Sequence, residues 1–410
     1  MQTPDRMQKN KILILLGILV ATVGITAYVA GLFIDVTRDA GLYATISKEV
    51  FENGNLINLT ILNEPYDQKP PMLFWLGALG FAVGNVSNFW FKFPVFLLVL
   101  AGIYWAFKLG ESLYNRKTGF VTAVILISSV ISSLYSMDIH TDTPLQAFVT
   151  LSLWQLFEFL KTGRNRNWII GFFAIGLAML SKGPVGAAIP AFAVVGHILM
   201  RKEFYRLSDY RWYAGIALAV IVSSPAVIGL MNQFGWEGLK FFYWENMVGR
   251  ITGSYVKAVN DPVFYIHNLL YQLFPWSLLF FTAVYLEFRF LIKSRFISFE
   301  YFTLTGIWIY FIILNAASSQ LPNYIFSIIP LMAVLTSKWI VWAAENANKE
   351  YKMFYTIQNI IVVFTWTAII VLSIYLFPFP KMYFWIIPFV GITSTWIIFS
   401  TEHNLLIKLT

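Results

Sequence analysis

The 410-residue chain has no cysteine and little charge, only 12% Asp, Glu, Lys and Arg. The missing cysteine excludes disulfides and thiolate metal sites and says nothing about compartment. Soluble domains carry roughly 25% charged residues, so an ordinary water-soluble fold is excluded. No Walker-type or GxGxxG phosphate loop is present, and the alternating pattern of a transmembrane barrel is absent. No small-residue cleavage site follows the first apolar run, so the basic start MQTPDRMQKNK leads into a retained span rather than a signal peptide.

What is present is apolar: 58% of residues are hydrophobic and 18% aromatic. Runs near 20 residues recur from end to end, the mark of an all-α polytopic membrane protein. The runs predict spans over 12–34, 89–111, 117–136, 144–161, 166–182, 184–200, 212–231, 264–288, 301–318, 323–343, 354–377 and 382–400, about twelve transmembrane helices (11–13). Segment 71–84 is too short to cross a bilayer and reads as interfacial or re-entrant.

The charges orient the chain. With the N-terminus inside and 71–84 non-spanning, the basic clusters at Arg116 and Lys117, Lys161 to Arg166, Arg201 to Arg211, Arg289 to Arg295, and Lys349 and Lys352 all fall inside, as the positive-inside rule requires. If 71–84 spanned, most of them would move outside. The net charge of +8 therefore reads as cytoplasmic anchoring and not as nucleic-acid binding. Both long non-apolar segments, 35–88 and 232–263, lie on the outer face. The inner loops leave no room for a nucleotide-binding domain, which points to a donor that arrives in the membrane.

The outer segments carry the candidate residues. From Asp39 to Val50 the spacing predicts a juxtamembrane helix with Leu42, Ile46 and Val50 on one face. Asp39 near its start is either a cap or a functional acid. In EPYDQKPPMLFW, Pro70 and Pro71 restrict the backbone around Lys69. Its ammonium either snorkels or pairs with a lipid phosphate. In MDIHTDTPLQ, Asp142 either caps the next helix or serves a site. With His140 and Asp138 it could also hold a divalent metal, although the spacing is not diagnostic. Lys182, in LSKGP, is a helix-end snorkel or a phosphate contact. Glu245 and Arg250 lie in an aromatic-rich stretch, and Tyr324 follows LPN. Arginine suits phosphate because its planar fork makes paired hydrogen bonds, whereas the aromatics also fit an interface belt.

Taken in order, DAGLYATISKEV, YDQKPPMLFW, HTDTPLQ, LSKGP, WENMVGR, FPW and SSQLPNY resemble the GT-C glycosyltransferases of the protein mannosyltransferase and aminoarabinose transferase (ArnT-like) type, over about residues 30–335. The resemblance implies transfer of a sugar from a polyprenyl phosphate to a lipid, glycan or protein acceptor on the outer face of the plasma (inner) membrane. A single inverting displacement is expected. It assigns Asp39 and Asp142 to catalysis and Lys69, Tyr66, Arg250 and Tyr324, with Lys182, to the donor phosphate. Glu245 would orient the acceptor. A lipid-linked saccharide transporter or flippase, or an O-antigen ligase-like protein, are the alternatives. The sequence departs from the family at Ala40, where an acid is common, and at Gln320, where aminoarabinose transferases carry lysine. It also shows no large outer C-terminal domain, so a single membrane domain over 1–410 is expected.

Overall fold

The computed structural model describes residues 28–246, 248–252, 261–346, 349–378 and 381–401, with isolated Thr26 and Lys408. Most of the expected first span, 12–25 and 27, therefore lies outside the described residues. The rest is helical apart from a two-residue β-hairpin, as an all-α membrane fold requires: backbone groups in a bilayer must be satisfied within the element.

The first loop folds around a core that it shares with Phe91 and Val95 of the bundle. Helix α1 (Arg38–Asn53) leads to strands β1 (Thr60–Ile61) and β2 (Glu64–Pro65), paired antiparallel across Leu62 and Asn63. Helix α2 (Met72–Val83) follows the two prolines. Tyr43, Ile46 and Val50 of α1 pack with Leu73, Phe74, Ala78 and Phe81 of α2. The buried stripe differs from the expected one in a single position. Leu42 is exposed, and Tyr43 takes its place, its ring against Phe74. Glu49 accepts from Thr60 Oγ1 and from the amides of Leu62 and Asn63, which fixes the hairpin turn to α1. Trp75 Nε1 donates to the Leu56 carbonyl at 2.7 Å. At 12 residues, α2 is about 18 Å long, too short to span, as its length in sequence implied.

The bundle then runs α3 (Asn88–Leu113), α4 (Arg116–Ser128), α5 (Val130–Met137), α6 (Asp142–Thr162), α7 (Asn165–Lys182), α8 (Val185–Met200) and α9 (Tyr210–Lys240). After a π-turn at Phe241–Glu245 come α10 (Val248–Thr252), α11 (Phe264–Gln272), α12 (Ser277–Lys293), α13 (Phe302–Ala316), a 3₁₀ turn (Pro322–Ile328), α14 (Ile329–Asn346), α15 (Lys349–Tyr375) and α16 (Ile386–Thr401). Each predicted span from 89 onward coincides with one of these helices or with a broken pair.

Among the described residues, four segments are long and apolar enough to cross a membrane alone: Asn88–Leu113, Tyr210–Glu245, Pro322–Asn346 and Lys349–Tyr375. Helices α4 and α5 form a fifth, bent by 55°. The others fall short of that standard because loops interrupt them or because charged and polar residues sit in their end turns. One expected boundary moves. The outer segment expected from 232 is largely helical: α9 kinks at Gly235 (φ 60°), where the backbone leaves helical geometry, and a second helical stretch runs on to Lys240.

The basic clusters gather at one end. Arg206 and Arg211 donate to the Leu160 and Gly163 carbonyls that finish α6, a favourable use of cations at a helix C-terminus. Lys117 meets Glu345, and Arg201 reaches the Phe299 carbonyl. Lys338 pairs with the nearly buried Glu287 at the same end.

Candidate functional site

The opposite end of the bundle holds a cavity of about 390 Å³. Four elements build it. Gln68, Lys69 and Pro70 come from the first loop; Lys182, Val185, Ala188 and Phe192 from the α7–α8 hairpin; Phe242, Tyr243 and Asn246 from the segment after α9; and Tyr310, Leu314, Ala317 and Tyr324 from α13 and the turn beyond it. Its walls are mostly apolar, and among the described residues its cations are Lys69 and Lys182.

Lys69 is placed by the chain around it. Pro70 and Pro71 end the loop and open α2. Asn246 Nδ2 donates to the Gln68 carbonyl at 3.4 Å, tying the lysine's neighbour to the second segment. Tyr66, three residues earlier, is buried, and its ring packs edge-on against Phe74. Burial pushes the Tyr66 phenol well above its usual range, and the neighbouring Tyr43, Asp67 and Asp39 add to the rise. It therefore stays a hydroxyl donor. Burial also raises the Asp67 carboxyl.

Lys182 ends α7, where Gly183 turns the chain in the left-handed region (φ 67°) and Pro184 begins the return. Its ammonium lies 2.5 Å from Asp142 Oδ1, with the two side chains 13% and 2% exposed. It also sits 4.2 Å from the centre of the Tyr324 ring, a cation–π contact. Asn323 Nδ2 donates to the second oxygen of Asp142 at 2.6 Å. The turn carrying Asn323 and Tyr324 is itself fixed, because Gln272 Nε2 and the Tyr265 hydroxyl donate to the carbonyls of Pro322 and Leu321. Thus Lys182, Asp142, Asn323 and Tyr324 form one polar assembly, half-buried except for the buried Asp142, with Lys182 and Tyr324 on the cavity wall. Paired charges and satisfied amides are the condition for placing such groups in an apolar interior.

The other singled-out residues fall as follows. Asp39 lies in the first turn of α1 and is exposed. It does not line the cavity. Glu245 is exposed, 3.7 Å from Lys240. Arg250 falls on α10, but its side chain lies outside the described residues. Asp142 and His140 are not brought together as metal ligands. Both Asp142 oxygens are engaged, one by an ammonium, and His140 Nε2 faces Asp138 Oδ2 at 3.3 Å. Among the described residues no group of three or more His, Asp or Glu side chains converges on one point. This donor set does not fit a divalent cation, since Lys182 already stands where the charge would go.

Three contributors escape a reading of the sequence. Asn323 and Asn246 look like ordinary loop asparagines, and Gln68 acts through its carbonyl. Asn323 had one available signal, its place beside Tyr324 in SSQLPNY.

Residues 68–228 match the family model described as dolichyl-phosphate-mannose-protein mannosyltransferase. A protein from Aquifex aeolicus is 27% identical over 354 residues, 84% of this chain and 66% of its own length. An undecaprenyl phosphate-alpha-4-amino-4-deoxy-L-arabinose arabinosyl transferase 2 from Proteus mirabilis is 26% identical over 324 residues, 77% of this chain and 56% of its own. The chain thus spans between about half and two thirds of the length of these relatives. The crystal structure of ArnT from Cupriavidus metallidurans bound to undecaprenyl phosphate shares the fold, with a TM-score of 0.71 at 18% identity over 83% of this chain and 63% of that one. Sequence and fold together support the resemblance carried by the ordered motifs: this is an all-α polytopic membrane protein that shares its fold with ArnT, and its residues 68–228 are similar to the mannosyltransferase family model.

Proposed function

We propose that the chain is a glycosyltransferase that moves a sugar from a polyprenyl-phosphate donor to a lipid, glycan or protein acceptor. The observation that carries this reading is the cavity. Two ammonium groups and a tyrosine ring stand at its polar side, and Val185, Ala188, Phe192 and Leu314 line the rest. A phosphate joined to a hydrocarbon tail needs that combination of point charge and apolar wall. A relative's fold holding undecaprenyl phosphate supports the same donor class.

In this reading Lys69 and Lys182, joined by Arg250 from α10, stabilise negative charge on the leaving phosphate. Asp142 and Asn323 hold Lys182 in place, so the part of Asp142 is to orient a cation rather than to accept a proton. Asp39 takes the proton of the acceptor hydroxyl as its oxygen attacks the anomeric carbon. The bond from that carbon to the phosphate oxygen breaks, its electron pair leaves with the phosphate, and the centre inverts. Glu245 orients the acceptor. The segregation of charge supports a plasma-membrane topology with the N-terminus cytoplasmic and the site on the outer face.

The test uses the full chain in detergent or nanodiscs with a labelled sugar on polyprenyl phosphate. Wild type should release free polyprenyl phosphate and transfer the label. Asp39→Ala should lower kcat by about 10²–10⁴, and Lys69→Ala should weaken donor binding. Full activity in both variants, or movement of intact donor without its cleavage, would overturn the reading.

A further inference from the structure

The segment leading into Asp39 is tied down at three points that the proposed chemistry does not use. Thr37 occupies the N-cap of α1, where a threonine hydroxyl ordinarily accepts from the first helical amides. It makes no such bond. Its Oγ1 donates instead to Asp138 Oδ1 at 2.6 Å, across a sequence distance of 101 residues, and Asp138 Oδ2 faces His140 at 3.3 Å. Further back, the fully buried Lys92 of α3 donates to the carbonyls of Gly31 and Ile34 at 3.2 and 2.8 Å. An ammonium within a membrane bundle requires such partners. Asn88, at the start of α3, donates to Asp35 Oδ1 at 2.7 Å.

The first of these ties, from Thr37 to Asp138, has a particular geometry. The stretch 138–142 is five residues long. At one end Asp138 grips the residue two before Asp39. At the other, Asp142 holds Lys182. One short loop therefore touches both the helix of the proposed base and the cation proposed to receive the phosphate.

We infer that Asp138 and Thr37 are positioning residues that fix Asp39 relative to the phosphate-binding cations, an inference that rests on Asp39 being the base. Reacting groups must be held in a near-attack arrangement, and a displacement of about 1 Å can lower the rate a hundredfold. A Thr37 hydroxyl spent on capping would hold α1 together but leave its tip free to swing. Spent on Asp138, it locks the tip to the loop.

The experiment compares Thr37→Val, Asp138→Ala and Thr37→Ser in the full chain. Thr37 is exposed, so its removal spares the core. The expected result is a fall in kcat of about ten- to a hundredfold, with affinity for polyprenyl phosphate unchanged and the serine variant restored. Thr37→Val and Asp138→Ala combined should be no worse than either alone, and neither should add to Asp39→Ala. A general structural role would move the unfolding temperature and donor affinity together with kcat, and that result overturns the inference. Wild-type kcat in Thr37→Val and Asp138→Ala, where Asp39→Ala is inactive, overturns it while leaving the proposed function standing. Full activity in Asp39→Ala overturns both.

Discussion

The pair formed by Lys182 and Asp142 allows stability and donor recognition to be separated. At 2.5 Å with almost no exposure, the attraction is about 7 kcal/mol at an effective dielectric of 20, before desolvation opposes it. Lys182→Met leaves the Asp142 carboxylate buried with Asn323 alone. Breaking a buried pair in this way destabilises by about 3–5 kcal/mol. Replacing both partners, as in Lys182→Met with Asp142→Leu, should recover most of that loss, because removing both charges together is often close to neutral. Donor binding should not recover. Loss of one charge-assisted hydrogen bond to phosphate, about 1.5–3 kcal/mol, corresponds to about ten- to a hundredfold or slightly more in affinity. Thermal unfolding in detergent and polyprenyl phosphate binding, measured on the two single variants and the double, complete the cycle. Wild-type donor affinity in the double variant would refute Lys182 as a phosphate contact. Wild-type stability in Lys182→Met would refute the buried-pair reasoning.

Two further outcomes follow from packing and charge. A Cβ added at Gly80 of α2 would lie 1.8 Å from the Trp90 carbonyl of α3, so Gly80→Ala should lower stability by about 3 kcal/mol, the upper range for overpacking, as read by thermal unfolding. Hydrogen bonds from Arg211 hold the Asp209 carboxyl below its ordinary value of 3.8. A carboxyl lowered on folding adds stability above that value, and the gain disappears as pH falls through the lower native one. Asp209→Asn should therefore flatten the decline in unfolding temperature as pH falls below about 5, and an unchanged decline would contradict the assignment.

Much of this architecture is legible in the sequence because bilayers impose a simple rule on it. Apolar runs of fixed length must be helices, and the runs from 89 onward do coincide with helices. The length of 71–84 alone identified a short α2. Lys69, Lys182 and Tyr324 could be singled out because a charge or a polar tip beside an apolar run demands an explanation. The missed features depend on contacts far apart in the chain. Asn323 meets Asp142 across 181 residues, and no local pattern announces that. Lys92 sits inside an apolar span, and its partners are backbone carbonyls, which carry no residue-specific signal. The second helical stretch beyond the Gly235 kink, in QFGWEGLK, was obscured by two glycines and two charges that read as loop. The buried stripe of α1 differs from the expected one at a single position, where Tyr43 rather than Leu42 is buried, its ring against Phe74.

The extended α9 has a consequence for how the cavity fills. Gln233 donates to the Leu59 carbonyl and Asn232 meets Asn58. Gly229 sits so close to Ile57 that a Cβ would lie 2.2 Å from its carbonyl oxygen. With Asn246 bonded to Gln68, the first loop, α9 and the segment after it are joined along one rim. Under the proposed function, a donor with a long hydrocarbon tail partitions into the bilayer and reaches the cavity from there. Its saturation would follow the number of donor molecules per unit area of membrane, so diluting the donor with inert lipid should slow turnover even at constant total donor per volume.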